Sequence, residues 1–150
     1  LLHISTDYVF DGEKGIPYTE EDEPNPLNDY GKSKLEGERR ATAAYTDGVI
    51  IVRTAWMFGA RGTCFPKTIL RAAREERTLR VVADQTGSPT YAADLARAIL
   101  MLLELDPSPG TYHVVNSGTA TWHAAHGIAC WPAARCNASA CNRSAPGATP

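Results

Sequence analysis

The sequence predicts an α/β fold, a partial Rossmann-type parallel sheet with part of a substrate-binding region, on three observations. Leu1–Thr6 reads as the end of a buried strand, and Val49–Arg53 is a short, continuously apolar run as expected for a strand buried on both faces of a parallel sheet. Between them a helical pattern begins near Pro26 and continues to about Tyr45. Strand, helix and strand in that order form one right-handed crossover unit.

Each element has a local reason. Leu1–Thr6 reads as the end of a strand, and Asp7-Tyr8-Val9-Phe10-Asp11-Gly12 carries the chain off it, which puts Thr6 at the sheet's C-terminal edge, where open α/β sheets bind ligands. Gly12 to Pro26 is a loop with Gly12, Gly15 and Pro17 as turn residues and a solvated acidic run, Glu20 to Glu23. Asn25 is placed to cap the helix, Pro26 suits its first position, and Asp47-Gly48 closes it. After the second strand, Thr54 to Gly59 leaves the sheet edge. Thr63 to Leu70 then opens a helix with Phe65, Ile69, Ala72 and Ala73 inward. Arg71, Arg74, Arg77 and Arg80 recur on that helix, but Glu75 and Glu76 alternate with them, the pattern of a solvated mixed-charge face.

Leu79 to Asp84 reads as a strand and Asp84 to Pro89 as a turn-rich loop of the kind that carries binding residues. Thr90 is expected to cap a helix whose core face is Leu95, Ala98, Ile99, Leu102 and Leu103. Pro107 to Gly110 stops it, and Thr111 to Val115 alternates as a short strand. Beyond Trp122 the pattern dissolves. After Ile128 there is no Leu, Ile, Val, Phe or Met, so 129–150 cannot bury enough apolar surface to offset its ordering entropy and is expected to be disordered. The organisation expected is therefore 1–122 as catalytic and substrate-binding elements and 123–150 as a divergent tail, with a change of reading frame or of the recorded sequence near Trp122.

Composition excludes several function classes. Fifteen basic and 17 acidic residues give a net charge of −2, without the positive footprint that nucleic acid or an anionic membrane requires. No run reaches the ~18 apolar residues of a membrane span, and the apolar start is too short for a signal peptide, so the cytoplasm is the expected location. Cys64, Cys130, Cys136 and Cys141 form no Cys-x-x-Cys pair, and His123, His126, Cys130, Cys136 and Cys141 match no common zinc spacing. Asn137-Ala138-Ser139 and Asn142-Arg143-Ser144 fit the glycosylation pattern, which has no consequence in a cytoplasmic chain.

The chemistry-bearing pair is Tyr30 and Lys34, four residues apart and therefore on one helix face. An unperturbed phenol titrates near ~10 and Lys near ~10.4, so a charged Lys34 favours the phenolate and makes Tyr30 a usable proton donor. Tyr-x-x-x-Lys by itself is common on amphipathic helices. Thr6 upstream, at a sheet edge, is what turns the pair into a candidate site.

Ser5 to Gly12, Tyr30-Gly31-Lys32-Ser33-Lys34-Leu35-Glu36-Gly37-Glu38 and Arg53-Thr54-Ala55-Trp56 together resemble the extended short-chain dehydrogenases, most closely the dTDP-4-dehydrorhamnose reductase family. Asp84-Gln85-Thr86-Gly87-Ser88-Pro89-Thr90 is similar to that family's substrate-side loop, and Gly110 to Gly118 to the strand after it. The resemblance spans roughly Leu1 to Trp122 and implies reduction of a dTDP-hexulose with NADPH or NADH. Tyr30 would be general acid, Lys34 would hold the nicotinamide ribose, and Thr6 would bind the reacting carbonyl. Asp7, Tyr8, Trp56 and Gln85 are the further substrate-binding residues it implies, with Trp56 against the sugar ring or, on the residue type alone, in the core. Dehydratases of the superfamily carry Thr-Asp-Glu where this chain has Thr6-Asp7-Tyr8, which favours reduction. Cys64 stands where relatives usually have Asn, so that amide contact to the nucleotide sugar is not implied.

The resemblance also implies a homodimer in the complete protein and a magnesium ion, for which no ligand set can be matched. A strand, Gly-rich turn and helix holding the cofactor pyrophosphate should precede Leu1. The chain opens inside a strand without Met or that turn, so the expectation is a fragment that binds dinucleotide poorly and is inactive alone. Two alternatives stay open: a non-catalytic relative like the regulatory beta subunit of methionine adenosyltransferase, and another nucleotide-sugar reductase or epimerase.

Overall fold

The computed structural model describes residues 1–45, 47–75 and 80–125. Among them the elements run β1 (Leu2–Thr6), α1 (Asp29–Ala44), β2 (Ile50–Thr54), β3 (Met57–Phe58), α2 (Phe65–Arg74) and β4 (Thr86–Gly87). These are followed by β5 (Thr90–Tyr91), α3 (Ala92–Glu104), β6 (Gly110–His113), β7 (Ala120–Thr121) and α4 (Trp122–Ala125). Two compact units result, one of Leu1–Thr54 with Leu102–Val114, the other of 55–101 with 115–125. The expected disorder over 129–150, His126, and the tail cysteines and Asn-x-Ser patterns lie outside the described residues.

The first unit is built on a three-stranded parallel sheet, order β1-β2-β6. The predicted α/β class and both predicted flanking strands are present. The register sets Thr6 opposite Thr54 and Arg53 opposite His113. Val49, Ile51 and Val52 are buried, as a covered parallel strand requires.

α1 turns Gly31, Leu35 and Glu38 inward, a stripe at helical spacing of which only one member is a conventional core residue. Leu35 packs with Val9 and Phe10, and Tyr18 lies against them. The helix begins later than the sequence predicts. Asn28 is the cap, its side-chain oxygen accepting from the Gly31 N–H at 2.7 Å. Asn25 is drawn away because its amide donates to Asp11 at 2.9 Å, a charge-assisted bond stronger than a neutral cap.

The loop after Gly12 is also less free than its acidity implies. Asp11 accepts from the Glu13 N–H and the Tyr18 hydroxyl as well as from Asn25, and these bonds pull its carboxyl down to about 2. Glu20 accepts from the backbone N–H of His113 at 2.9 Å, and Asp22 pairs with Lys14 at 2.5 Å. Two members of the expected solvated run are thus anchored, Glu20 to a strand 93 residues away.

The second unit rests on shorter ladders. β3 pairs with β5 in parallel and β4 with β7 antiparallel, two residues on each side. Its interior is polar as well as apolar: Asp94 is fully buried, accepts from the Asn116 amide at 2.9 Å and pairs with Arg97. Three expectations are corrected here. Thr90 does not cap α3; it lies in β5, where its hydroxyl donates to the Ser88 carbonyl and accepts from the Asn116 N–H. Leu103 is exposed while Leu95 and Leu102 are buried, because the inward stripe is narrower than the apolar pattern. Arg80 to Asp84 form no strand; the Val82 carbonyl accepts from the His123 N–H, and one bond is not a ladder.

Candidate active site

Thr6 ends β1 and is buried. Its β-region backbone starts a single 3-10 turn, Asp7–Val9, which it caps by accepting from the Tyr8 N–H at 3.3 Å. The same hydroxyl donates to Asp7 Oδ1 at 3.0 Å. Burial pushes the Asp7 carboxyl above its ordinary range, with the Thr6 hydroxyl and backbone N–H groups pulling the other way. The Tyr8 phenol is raised too, first by burial and then by the neighbouring Asp7 and Tyr30.

Tyr30 sits in the first turn of α1, its ring edge-on to Tyr8 with centroids 5.9 Å apart. The residue is 56% exposed, open to a ligand rather than committed to the core. Lys34, one turn on, reaches down to the sheet and donates to the Ile4 carbonyl at 2.6 Å. Its ammonium is therefore fixed by β1 two residues short of Thr6. The structure thus gathers Thr6, Asp7, Tyr8, Tyr30 and Lys34 in the first unit, though among the described residues no hydrogen bond joins the Tyr30 hydroxyl to Thr6 or Lys34.

What presses the turn against the helix is Gly31. A Cβ built there would lie 2.1 Å from the Tyr8 carbonyl oxygen and 2.9 Å from its carbon. Only a residue without a side chain permits that approach. The signal was present in the sequence, since a glycine inside a helix costs ~1 kcal/mol against alanine and calls for a packing reason.

Behind the turn, Arg53 and Glu38 form a buried two-pronged ion pair, Nε to Oε1 at 3.0 Å and Nη2 to Oε2 at 2.7 Å. The guanidinium also lies 5.2 Å from the Phe10 ring centre, which offsets the lack of an acceptor for Nη1. His113 also meets Phe10 edge-on, and burial lowers its pKa despite the opposing charge of Glu20.

Trp56 and Gln85 belong to the second unit and to one cluster. Trp56 stacks on Trp122 with ring centres 3.6 Å apart, and Phe65 meets Trp122 edge-on. The Trp122 indole N–H donates to Gln85 Oε1 at 3.1 Å. Trp56 has φ +44, a left-handed conformation costly for a bulky residue, held by the Thr90 N–H on its carbonyl at 3.2 Å.

A family model described as RmlD substrate binding domain matches residues 1–145. The chain belongs to that family. The dTDP-4-dehydrorhamnose reductase of Salmonella typhimurium is 46% identical over 127 residues, covering 82% of this chain and 42% of the relative. Spore coat polysaccharide biosynthesis protein SpsK of Bacillus subtilis is 48% identical over 122 residues, again 42% of its length. Among solved structures, a dTDP-4-dehydrorhamnose reductase from Bacillus anthracis in complex with NADP matches with TM-score 0.75 and 45% identity over 81% of this chain and 42% of that one. A dTDP-glucose 4,6-dehydratase from the same species, 22% identical with TM-score 0.71, shares the fold. The chain thus spans about two-fifths of the length of the reductases it matches.

Tyr30 and Lys34 set an exposed phenol and an ammonium, both hydrogen-bond donors, one turn apart on α1, a donor set whose chemistry would suit a nicotinamide ribose. A magnesium site has no such support, since among the described residues no group of three His, Cys, Asp or Glu is placed to hold a metal ion. No described helix is long and apolar enough to cross a membrane.

Proposed function

We propose that this chain supplies the proton-donating and sugar-binding part of an NAD(P)H-dependent reductase that converts dTDP-4-dehydrorhamnose to dTDP-L-rhamnose. The observation that carries the reading is the turn after Thr6 packed through Gly31 on the helix turn that presents Tyr30. A reduced nicotinamide, when bound, supplies the hydride. The carbonyl oxygen gains negative charge during reduction, and the Thr6 hydroxyl would turn its hydrogen from Asp7 to that oxygen. Tyr30 then gives up its phenolic proton to complete the alcohol. Lys34, tethered to the Ile4 carbonyl, holds its charge at the end of β1 and orients the ribose. Asp7 and Tyr8 position the nucleotide sugar, and Trp56 and Gln85 contact the sugar itself.

NADPH is our first choice of cofactor, because the Bacillus anthracis relative was solved with NADP. A cytoplasmic homodimer without nucleic-acid or membrane partners belongs to the same proposal. In the full-length protein, Tyr30→Phe should lower turnover of dTDP-4-dehydrorhamnose, followed by NADPH oxidation, by roughly 100-fold or more while substrate affinity changes little. Turnover close to wild type would refute the assignment. A relative from Streptomyces niveus is a dTDP-4-keto-6-deoxy-D-glucose reductase, so assaying both 4-keto sugars decides which one is the substrate.

A further inference from the structure

We infer that Trp122 is a positioning residue for sugar recognition, holding Trp56 and Gln85 in their binding orientations. The inference rests on the proposed function, in which those two residues meet the sugar. Trp122 touches both by different means: its ring face stacks on Trp56 at 3.6 Å and 12°, and its N–H bonds Gln85 at 3.1 Å.

The backbone explains why these residues meet. β4 and β7 pair antiparallel with Thr86 opposite Thr121 and Gly87 opposite Ala120. Continuing that register by one step sets Gln85 opposite Trp122. Gln85 and Gly87, two residues apart on an extended segment, face the same way. A Cβ at Gly87 would lie 2.4 Å from Trp56 Cε2 and 2.7 Å from its Nε1, so the missing side chain is the recess the indole occupies. Trp56 is thus confined by Gly87 and Trp122 while its backbone is held in a left-handed conformation. Strain kept in place by several independent contacts marks an orientation the fold defends. Gln85 retains its side-chain N–H₂ for a ligand, because the bond from Trp122 occupies its oxygen and fixes which end of the amide is presented.

The test compares binding of two probes by titration calorimetry: dTDP-L-rhamnose, which carries the sugar, and dTDP, which lacks it. Trp122→Ala should weaken dTDP-L-rhamnose about tenfold and leave dTDP within about twofold, the size of effect expected for loss of an oriented aromatic contact. Trp122→Phe keeps a ring to stack but no N–H and should fall between. Gly87→Ala, which pushes on Trp56 from another direction, should reproduce the sugar-selective loss. Loss of the exciton signal of the paired indoles in the circular dichroism spectrum of Trp122→Phe would confirm the stack without any ligand.

Equal weakening of both probes, or none, in Trp122→Phe and Gly87→Ala would overturn the positioning role while leaving the reductase reading intact. A wild-type protein that binds neither probe would overturn that reading, and this inference with it.

Discussion

The two units solve the problem of fixing a site in different ways. In the first, a parallel ladder of five and four residue pairs sets the backbone, and a buried charge pair is carried at one register position of it, Arg53 beside His113. In the second, each ladder is two residues long, and the fixing is done by side chains: stacked indoles, an amide oriented by an indole N–H, and a buried Asp94–Asn116 bond. The comparison teaches that rigidity can come from backbone pairing or from side-chain interlock, and that even a ladder-built unit depends on single side chains where a buried charge is paired.

The largest effect should come from the charge pair. Glu38→Ala leaves the Arg53 guanidinium buried without its partner, and such an uncompensated charge costs ~3–5 kcal/mol. Urea denaturation should show a correspondingly lower midpoint. The double change Glu38→Leu with Arg53→Met removes both charges and should recover most of the loss. If the double variant is no better than Glu38→Ala, the pair is not what organises this unit.

Next in size is Gly31→Ala. The added methyl meets a backbone carbonyl rather than a side chain that could rotate, so either the turn or the helix must move, at ~1–3 kcal/mol. Because the displaced atom belongs to Tyr8, turnover should fall more than stability alone accounts for. Unchanged turnover at an unchanged melting temperature would show that the turn tolerates a longer approach.

Much of this was legible in the residues. The runs Leu1–Thr6 and Val49–Arg53 announce two neighbouring strands, the second buried while Ile4 of the first stays exposed, and the spacing of Tyr30 and Lys34 announces one face of a helix. Other features escaped for physical reasons. The inward stripe of α1 includes a glycine and a glutamate, residues that apolar periodicity scores as surface. Glu20 looked solvated because its partner is the backbone of His113, which no local pattern can indicate. Trp122 marked the place where family resemblance ended, and its stacking partner lies 66 residues earlier in the chain, a separation only topology reveals. Thr90 carries a capping signature, yet pairing into β5 with a bond to Asn116 outweighed it.

The smallest effect separates the charged interior from the aromatic one by pH. Burial lowers the His113 pKa, so the folded state favours the neutral ring while the unfolded chain binds a proton near the ordinary value of 6.5. The unfolded state therefore holds more protons below that value, and stability present above pH 6.5 is lost as pH falls toward the depressed folded pKa. One residue can contribute a slope of at most ~1.4 kcal/mol per pH unit. Glu20, Glu38 and Arg53 all act on this ring, the carboxylates opposing the shift and the guanidinium adding to it. Removing the first with Glu20→Gln should therefore deepen the depression, so that the loss still begins near pH 6.5 but continues to lower pH and grows larger. His113→Gln should remove this component of the slope below about pH 6.5. A slope below pH 6.5 identical to wild type would assign that titration to another group.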